Sequence, residues 1–437
     1  GSAGAAQATG FVVDAAQGLI LTNRHVVKEG PVVAEAIFDN HEEVILEAVY
    51  RDPVHDFGIF RYDPASLRHL PSVAELQLRP DKARQGLDVR VIGNNAGEKL
   101  SILGAMLARL DREAPSYGRW SYNDFNTFYF QAASATSGGS SGSPVVDPDG
   151  DVIALNAAVK VGTSASYYLP LDRVKRAVNL LRSGRQVTRG TLQTTFHFTT
   201  FPDLRRLGLT EREAGAARAA GEDVGMLVVK SLVPGGPAYG LVEPGDVLIS
   251  IGGKRVTRFV PLEEMLDDSV AQEVELCLER GGRPLRVSVR VQDLHSITPN
   301  AFLECGNAIF NNLSYQQARN HNLPVEGVGV YVAAQGYFLR RAGISAGSLI
   351  TDVGGRPTRN LQELEEALVA YPDGASVPVR YTSLANPAHH TVAMVRVDRT
   401  WFPMQLSTRD DPRLGVWTTR PSLPPPPRRR APTASDF

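Results

Sequence analysis

The sequence predicts a mainly β protein with several domains, and three observations carry this prediction. Up to about residue 171, short apolar runs alternate with Gly, Pro, Asn and Asp, which is the spacing of strands in a barrel or sandwich. Further along, one pattern of strands and a helix occurs twice. A length of 437 residues also favours two to four domains.

The N-terminal unit contains five segments with the apolar character of strands. A helix is expected after them, because Asp172 can cap its N-terminus, apolar residues recur at helical spacing from Val174 to Leu181, and Gly184 can end it. The basic stretch 182–190, RSGRQVTRG, is then interpreted as a linker. The five predicted strand segments are GLILTNRHVV, DVRVIGN, TFYFQAA, SPVVD and DVIALNAAV.

The internal repeat pairs EPGDVLISIGGKRVTRFVPLEEML, from Glu243, with SAGSLITDVGGRPTRNLQELEEAL, from Ser345. The two segments align without a gap at an offset of 102 residues, and their Gly-Gly pairs coincide. This period is far longer than the roughly 20–50 residues of solenoid repeats, so two whole domains of one kind are predicted. Each should run strand, Gly-Gly turn, strand, short helix and further strands.

Composition excludes several classes of function. The 46 basic and 47 acidic residues nearly balance, and no apolar run approaches the length of a membrane span, so neither nucleic acid nor a membrane is an expected partner. Cys277 and Cys305 form no disulfide framework and lie in no metal-ligand spacing, so no cofactor is expected. Two thiols favour an intracellular compartment, with periplasm or an organelle as alternatives. The final PSLPPPPRRRAPTASDF has the composition of a disordered tail.

The stretch TSGGSSGSPVV is either a flexible linker or a tight turn that presents a reactive serine. It offers Ser140, Ser141 and Ser143. Ser141 is the best nucleophile of the three, because glycines two before it and one after it allow backbone amides to converge on a developing oxyanion. Ser140 lacks a following glycine, and Ser143 is followed by proline.

A reactive serine needs a base, and the base needs a third group that holds it. His25 is the candidate base, because a predicted strand breaks into polar residues, presents this ring and resumes. Asp56 is the candidate acid, because it leads into the strand FGIF, where a buried carboxylate needs an imidazole N–H or a similar donor. Asp52 is interpreted as local turn chemistry, and His55 is expected to be exposed.

The order of His25, Asp56 and Ser141 is also that of chymotrypsin-like proteases. Four blocks resemble the HtrA/Deg serine proteases, with the nearest likeness to the fungal nuclear pro-apoptotic branch and its plant and bacterial relatives. The likeness runs from about Ala8 to Trp417, and a fungal source would imply a nuclear location. The blocks are ATGFVVDAAQGLILTNRHVV, RDPVHDFGIF, GNNAGEKLSILGA and QAASATSGGSSGSPVVDPDGDVIALNAA.

The resemblance implies a mainly β fold, in which a chymotrypsin-like double β-barrel protease domain is followed by two PDZ-like α+β domains. The expected bounds are 1–186 for the protease domain, 187–295 and 296–400 for the PDZ-like domains, and 401–437 for a C-terminal extension. The implied activity is that of an ATP-independent endopeptidase without a cofactor. Its partners would be protein or peptide substrates and copies of itself, with a trimer favoured.

By the same resemblance, His25 acts as general base and then acid, Asp56 orients it, and Ser141 forms an acyl-enzyme. The amides of Gly139 and Ser141, with Ser140 between them, form the oxyanion hole. Most family members have Asn-Pro-Gly-Asn-Ser-Gly-Gly-Pro in this loop, where this chain has SGGSSGSP. Without that proline a more flexible loop is expected, with a collapsed resting state and a lag in cleavage.

The specificity pocket implied by the resemblance involves Ala135 and the wall formed by Leu155, Asn156 and Ala157. None of these side chains is charged, so cleavage after small or medium aliphatic residues is predicted. Lys160 lies nearby and is expected to be solvated, with entry of its side chain into the pocket as the alternative.

PDZ domains bind a chain terminus by adding it as a strand to a sheet edge. Their terminus-binding loop carries a glycine, and at the matching place the first unit has Leu192, Gln193 and Thr194. The second unit has FLECGNAIF and is further from the pattern. The first unit is therefore a candidate peptide binder, and the second is expected to serve in packing or regulation.

Two functions from different classes follow. The first is an active serine endopeptidase that acts on unfolded or selected proteins. The second is a latent or inactive protease that serves as a PDZ scaffold or chaperone. An esterase or transferase could use the same three residues, but no other feature of the sequence favours one.

Overall fold

The N-terminal unit consists of two antiparallel sheets. The structure is a computed structural model that describes residues 6–70, 72–95, 100–133, 139–159, 165–410 and 415–422 of the chain. Short 3-10 helices span Pro64–Ser66 and Pro80–Lys82. The strands of this unit are β1 (Phe11–Asp14), β2 (Leu19–Thr22), β3 (Ala34–Ile37), β4 (Glu43–Arg51), β5 (Gly58–Arg61), β6 (Asp88–Gly93), β7 (Ser101–Glu113), β8 (Phe128–Ala133), β9 (Pro144–Val146), β10 (Val152–Val159) and β11 (Ala165–Pro170), and the helix α1 (Asp172–Arg182) follows them.

The first sheet has the strand order β1-β2-β5-β4-β3, and the second closes into a barrel in the order β10-β11-β8-β7-β6-β9. Strands β2, β6, β8, β9 and β10 lie where the sequence predicts strands. Helix α1 also lies where it is predicted, but Asp172 is its first residue, and the N-cap is Leu171, which makes no side-chain cap.

The two sheets share one hydrophobic core. Leu21 and Ile59 of the first sheet and Leu155 and Leu169 of the barrel belong to the same buried cluster. Strands β1 and β2 are buried along their whole length, so their apolar runs are continuous rather than alternating. This packing brings the C-terminal end of β2 near the turn that precedes β9.

The first repeated unit is a sheet with helices packed on it. Its main sheet has the order β13-β14-β15-β17-β18, with β16 paired to β15, and β12 pairs separately with β19. The elements are β12 (Gly190–Thr191), β13 (Thr194–Thr200), α2 (Phe201–Arg206), α3 (Glu211–Ala219), β14 (Gly225–Leu232), β15 (Val247–Ile251), β16 (Lys254–Arg255), α4 (Phe259–Asp268), β17 (Glu273–Arg280), β18 (Arg283–Arg290) and β19 (Gln292–Asp293), followed by a 3-10 helix at His295–Ile297.

The second repeated unit has the strand order β26-β25-β23-β22-β21-β20-β27-β28, with β24 paired to β23. Strands β27 and β28 extend this sheet, so the predicted C-terminal extension contributes strands as far as residue 421. The elements are β20 (Ala301–Cys305), β21 (Ala308–Asn312), α5 (Tyr315–His321), β22 (Val330–Gln335), α6 (Gly336–Arg341), β23 (Ser348–Val353), β24 (Arg356–Pro357), α7 (Leu361–Val369), β25 (Ser376–Ser383), β26 (Asn386–Arg396), β27 (Gln405–Arg409) and β28 (Trp417–Pro421).

The internal repeat corresponds to the same structure in both units. Strands β15 and β16 and helix α4 align with β23, β24 and α7 at the offset found in the sequence. Gly252 and Gly253 have φ of 56° and 76°, and Gly354 and Gly355 have φ of 63° and 82°. A two-residue hairpin turn with both φ positive favours glycine, which explains why this pair occurs in both copies. Among the described helices, none is long and apolar enough to cross a bilayer.

A buried cluster of charges joins the N-terminal unit to the first repeated unit. Arg189 is 2% exposed and forms ion pairs with Asp52 of the first unit at 3.1 Å and with Glu263 and Asp267 of α4 at 3.5 Å each. Asp267 also pairs with Arg173 of α1 at 2.9 Å. The interpretation of residues 182–190 as a linker is therefore wrong for Arg189, because three carboxylates, one that follows β4 and two on α4, hold its guanidinium in the interior.

The prediction that His55 is exposed is also wrong. The side chain is buried, with Nε2 3.2 Å from the carbonyl of Phe125 and Nδ1 3.5 Å from the Arg189 guanidinium. The turn after Asp52 explains the burial of His55. Asp52 Oδ1 accepts hydrogen bonds from the N–H groups of both Val54 and His55, and these bonds direct the segment toward the interior. Asp52 thus has the predicted role in a turn, and its second oxygen pairs with Arg189.

We expect Arg189→Met to lower the free energy of unfolding by about 3–5 kcal/mol, because it leaves buried carboxylates without their cation. A urea titration followed by circular dichroism measures the change. Arg206→Met is the matched control, because Arg206 is exposed and its ion pair with Asp203 lies at the surface. Equal unfolding curves for the two variants would show that the buried cluster adds no stability.

Burial, with the Arg189 charge, lowers the pKa of His55 to about 3, although Asp52 opposes the shift. The pKa of an imidazole in the unfolded chain is about 6.5. Between these values the unfolded chain binds a proton that the folded chain does not, so acid removes up to roughly 1.4 kcal/mol of stability per pH unit.

We therefore expect His55→Gln to gain stability relative to the wild type as pH falls from about 6.5 toward 4, as measured by urea titrations at each pH. His390→Gln, which alters an exposed histidine, should follow the wild type throughout. A difference between His55→Gln and wild type that stays constant with pH would contradict this expectation.

Candidate active site

The structure brings the predicted base and acid into direct contact. The Nδ1 atom of His25 lies 2.8 Å from Oδ2 and 3.1 Å from Oδ1 of Asp56. The backbone N–H of His25 donates to Asp56 Oδ1 at 3.1 Å. The His25 side chain is 47% exposed and that of Asp56 is 4% exposed, so a buried carboxylate supports an accessible imidazole.

The charge of Asp56 is maintained by its neighbours. Burial raises the pKa of this carboxyl, but the hydrogen bonds and charge of His25 and the charge of Arg24 outweigh burial and leave the pKa below its usual value. The carbonyl of Asp56 accepts a hydrogen bond from Asn23 Nδ2 at 2.9 Å. An ionised Asp56 can hold the His25 ring in the tautomer that carries its proton on Nδ1 and its lone pair on Nε2.

The stretch of glycines and serines is a tight turn where the structure describes it. The N–H of Ser143 donates to the carbonyl of Ser140 at 3.1 Å, and Gly142 has a φ of 84°, the value that type II turns require at their third position. A Cβ atom at Gly142 would lie 2.1 Å from the Thr9 carbonyl oxygen and 2.3 Å from Thr22 Oγ1. Glycine is therefore required here for space as well as for conformation.

Thr9 links this turn to the strand that leads to His25. Its N–H donates to the carbonyl of Ser141 at 2.9 Å, and its own carbonyl accepts from Thr22 Oγ1 at 2.8 Å. Thr22 ends β2, three residues before His25. The Thr9 hydroxyl also donates to the carbonyl of Gly139 at 2.9 Å.

The three candidate serines differ in their exposure to solvent. Ser140 is 3% exposed, and Asn156 Nδ2 lies 3.2 Å from its hydroxyl. Ser143 is fully buried, and its Oγ packs so closely against Gly93 that a Cβ atom there would lie only 1.9 Å from it. Ser141 alone of the three is partly exposed. A nucleophile must be reached by substrate, so this geometry favours Ser141.

The predicted specificity pocket is only partly described. Ala135 lies outside the described residues, as do residues 134–138 of the loop and Lys160. Leu155 is fully buried in the hydrophobic core, and Ala157 is 5% exposed. The backbone and side chain of Asn156 support the turn, with Nδ2 donating to the Ser140 carbonyl at 2.7 Å.

Sequence reasoning did not find Asp124 and Arg24. Asp124 Oδ2 accepts the backbone N–H of Asp56 at 2.8 Å, and Oδ1 lies 3.2 Å from an Arg24 Nη atom. Arg24 could be noticed only as the neighbour of His25. Asp124 stands in the polar stretch YNDFN between two predicted strands, where no pattern distinguishes it from a residue of a surface loop.

The predicted peptide-binding loop of the first repeated unit has an unusual backbone. Gln193 adopts a φ of 53°, the left-handed conformation for which a glycine is expected at this place. It lines a cavity of about 510 Å³ with Arg290, Gln292 and Pro324. Leu192 belongs to the hydrophobic core. In the second unit the corresponding segment is a hairpin turn between β20 and β21.

The open edge of β13 is contacted by the chain itself. Asn126 Oδ1 accepts the N–H of Phe196 at 2.8 Å, and its Nδ2 donates to the carbonyl of Thr194 at 3.3 Å. The ring of Phe128 lies between Phe198 of β13 and Phe259 of α4, with ring centroids 5.7 and 5.0 Å away. One amide and one ring thus occupy the groove between β13 and α4, where a PDZ domain adds a peptide strand.

Comparison with known proteins agrees with this architecture. A family model for the trypsin-like peptidase domain matches residues 8–155, and one for a PDZ-like domain matches residues 296–374. Among the described residues, no group of three or more His, Cys, Asp or Glu side chains is placed to hold a metal ion.

Two longer relatives are similar to this chain over nearly its whole length. Protease Do-like 7 from Arabidopsis thaliana is 50% identical over 439 residues, which cover 97% of this chain and 40% of the relative. Pro-apoptotic serine protease nma111 from Aspergillus terreus is 48% identical over 432 residues, which cover 97% of this chain and 41% of the relative. The chain therefore spans about two-fifths of the length of these relatives.

A solved structure supports the fold. The HtrA-type protease AlgW with tripeptide superposes with a TM-score of 0.50 and 24% identity, over 65% of this chain and 89% of that chain. With matches to a trypsin-like peptidase domain over residues 8–155 and to a PDZ-like domain over residues 296–374, and with these two relatives, the chain is similar to the HtrA-type serine proteases.

Proposed function

We propose that this chain is an ATP-independent serine endopeptidase that cleaves unfolded or selected proteins by means of His25, Asp56 and Ser141. The observation that carries the proposal is the 2.8 Å contact between His25 Nδ1 and Asp56 Oδ2. The turn at Ser141, which Thr9 links to the strand before His25, supports it.

In the proposed reaction, Asp56 accepts the Nδ1–H of His25, which leaves the Nε2 lone pair free to act as a base. Nε2 takes the hydroxyl proton of Ser141 as Oγ attacks the peptide carbonyl. The imidazolium then gives that proton to the leaving amine, and an acyl-enzyme remains. Water then attacks the ester as Nε2 takes its proton, and the imidazolium returns that proton to Ser141 Oγ as the acid product leaves.

The proposed oxyanion hole consists of the backbone amides of Gly139 and Ser141, with Ser140 between them. Gly139 has a φ of 91°, so this residue requires the conformational freedom of glycine. Each donor in such a site contributes about a hundred- to thousand-fold to turnover.

The proposed preference is for small or medium aliphatic side chains, since Leu155, Asn156 and Ala157 supply no charge. By family resemblance the chain would act as a homo-oligomer, with a trimer favoured, under the control of its PDZ-like domains. Its partners would be protein or peptide substrates in an intracellular compartment.

A latent scaffold that captures chain termini is the alternative function. Such a scaffold requires an open groove on a PDZ-like unit. In the first unit, Asn126 and Phe128 occupy the groove beside β13, and this contact favours the enzyme over the scaffold.

We expect a fluorophosphonate probe to modify Ser141, because His25 activates its hydroxyl. Ser141→Ala should lose the modification and reduce casein cleavage by at least about a thousand-fold. Peptide mass spectrometry locates the label. Ser296→Ala, which removes an exposed serine far along the chain, should keep both properties. Casein cleavage that survives in Ser141→Ala would refute the assignment.

We expect the wild-type chain to bind a fluorescent peptide with an apolar C-terminus weakly, because its own Asn126 and Phe128 compete for the groove. Asn126→Gly should strengthen binding at least about tenfold, since it removes the competing amide and tolerates the φ of 52° at this position. Fluorescence anisotropy measures the affinities.

The matched control for this experiment is Asn322→Gly, which changes an asparagine with a φ of 54° at the C-terminus of α5. This variant should bind as weakly as the wild type. Equal affinity for wild type and Asn126→Gly would show that the contact does not compete with peptide.

A further inference from the structure

A second buried carboxylate, that of Asp124, contacts the chain segments that carry His25 and Asp56. Asp124 Oδ2 accepts the backbone N–H of Asp56 at 2.8 Å and the hydroxyl of Tyr129 at 2.7 Å. Its Oδ1 pairs with Arg24 at 3.2 Å, and the side chains of Asp124 and Arg24 are 2% and 3% exposed. One carboxylate therefore holds both the residue that precedes His25 and the peptide unit of Asp56.

These contacts fix the backbone on both sides of the Asp56 side chain. The N–H of Asp56 is held by Asp124, and its carbonyl is held by Asn23 at 2.9 Å. The His25 N–H closes the arrangement by donating to the Asp56 carboxylate. Moving the Asp56 carboxylate would therefore leave hydrogen-bond donors and acceptors without partners, which is unfavourable in the protein interior.

We infer that Asp124 is a positioning residue for the proposed reaction. Its carboxylate aligns the two chain segments that carry His25 and Asp56, and so sets the orientation of the imidazole toward substrate. This inference rests on the proposed function. Asp124 touches neither substrate nor the reacting atoms, so it acts through Asp56 and Arg24.

The charge of Asp124 belongs to this role, because only the ionised form pairs fully with Arg24. Burial raises the pKa of Asp124 to about 6, with Asp56 adding to the shift and Arg24 and the bond from Tyr129 opposing it. Below about pH 6 the carboxyl takes up a proton, and the hold on Arg24 weakens. The charged and titratable groups that act on Asp124 are Arg24, Asp56, Tyr117, Tyr129 and Arg319.

The test is Asp124→Asn, which keeps the size of the side chain and removes its charge. With a fluorogenic peptide substrate we expect kcat to fall roughly 10- to 100-fold, while KM changes less than about twofold, because alignment rather than binding is lost. As pH falls, the kcat/KM of the wild type should decrease more steeply than the uptake of one proton allows. In Asp124→Asn this decrease should have the slope of a single proton uptake. Asp149→Asn, which alters an exposed carboxylate paired with Lys82, should match the wild type.

A folded Asp124→Asn variant with the kcat and acid limb of the wild type would overturn the inference. If circular dichroism shows that this variant does not fold, Tyr129→Phe decides instead, because it removes one hydrogen bond to Asp124 and leaves the charge. A several-fold lower kcat at unchanged KM supports the inference, and an unchanged kcat overturns it.

The rate at which a fluorophosphonate modifies Ser141 separates this inference from the proposed function. An unreactive wild type refutes the proposed function and the inference with it. A reactive wild type with an equally reactive Asp124→Asn refutes the inference alone. Slow modification in Asp124→Asn beside rapid modification in the wild type supports both.

Discussion

The segment between β7 and β8 is the constraint on which the arrangement of the three units depends. Asp124 of this segment binds Arg24 and Asp56 in the N-terminal unit. Two residues later, Asn126 binds the open edge of β13 in the first repeated unit. Phe125, between them, packs against Arg319 of α5 in the second repeated unit, with the guanidinium 4.3 Å from the ring centroid. Three consecutive residues therefore contact three folded units.

The charges at this junction restrict how the units can be arranged. A buried cation such as Arg189 is tolerated only where carboxylates surround it, and those carboxylates come from both Asp52 and helix α4. A displaced Arg189 would leave the buried carboxylates of Asp52 and Glu263 without this cation, and Asp267 would keep only its ion pairs with Arg173 and Arg176. The N-terminal unit and the first repeated unit are thus held in one register by the cost of separating charges.

Local sequence patterns predicted much of the fold and part of the site, and long-range packing determined the rest. The strands, helix α1 and the repeat depend on periodicity and on glycines with positive φ, which are properties of short segments. His25 follows strand β2 and Asp56 precedes strand β5, so their approach could be expected. Asp124 and Arg189 could not be recognised, because each gains its role from groups far away in the chain: Asp56 and Arg24 lie 68 and 100 residues from Asp124, and Asp52 lies 137 residues from Arg189. The exposure of His55 was predicted wrongly because this residue lies in the turn at Asp52 and not in an extended strand, which begins only at Gly58.

The two repeated units show how one fold came to make different contacts with the same segment. In the first unit, Gln193 at positive φ leads into β13, whose open edge accepts the amide of Asn126. In the second unit, the corresponding loop is a tight hairpin, and helix α5 contacts the segment instead, with Arg319 donating to the carbonyl of Asn123 at 2.7 Å. An edge strand offers hydrogen bonds at fixed spacing, whereas a helix offers side chains, so the first contact depends on backbone register and the second on side-chain identity. Substitutions on α5 can therefore change one contact without changing the other.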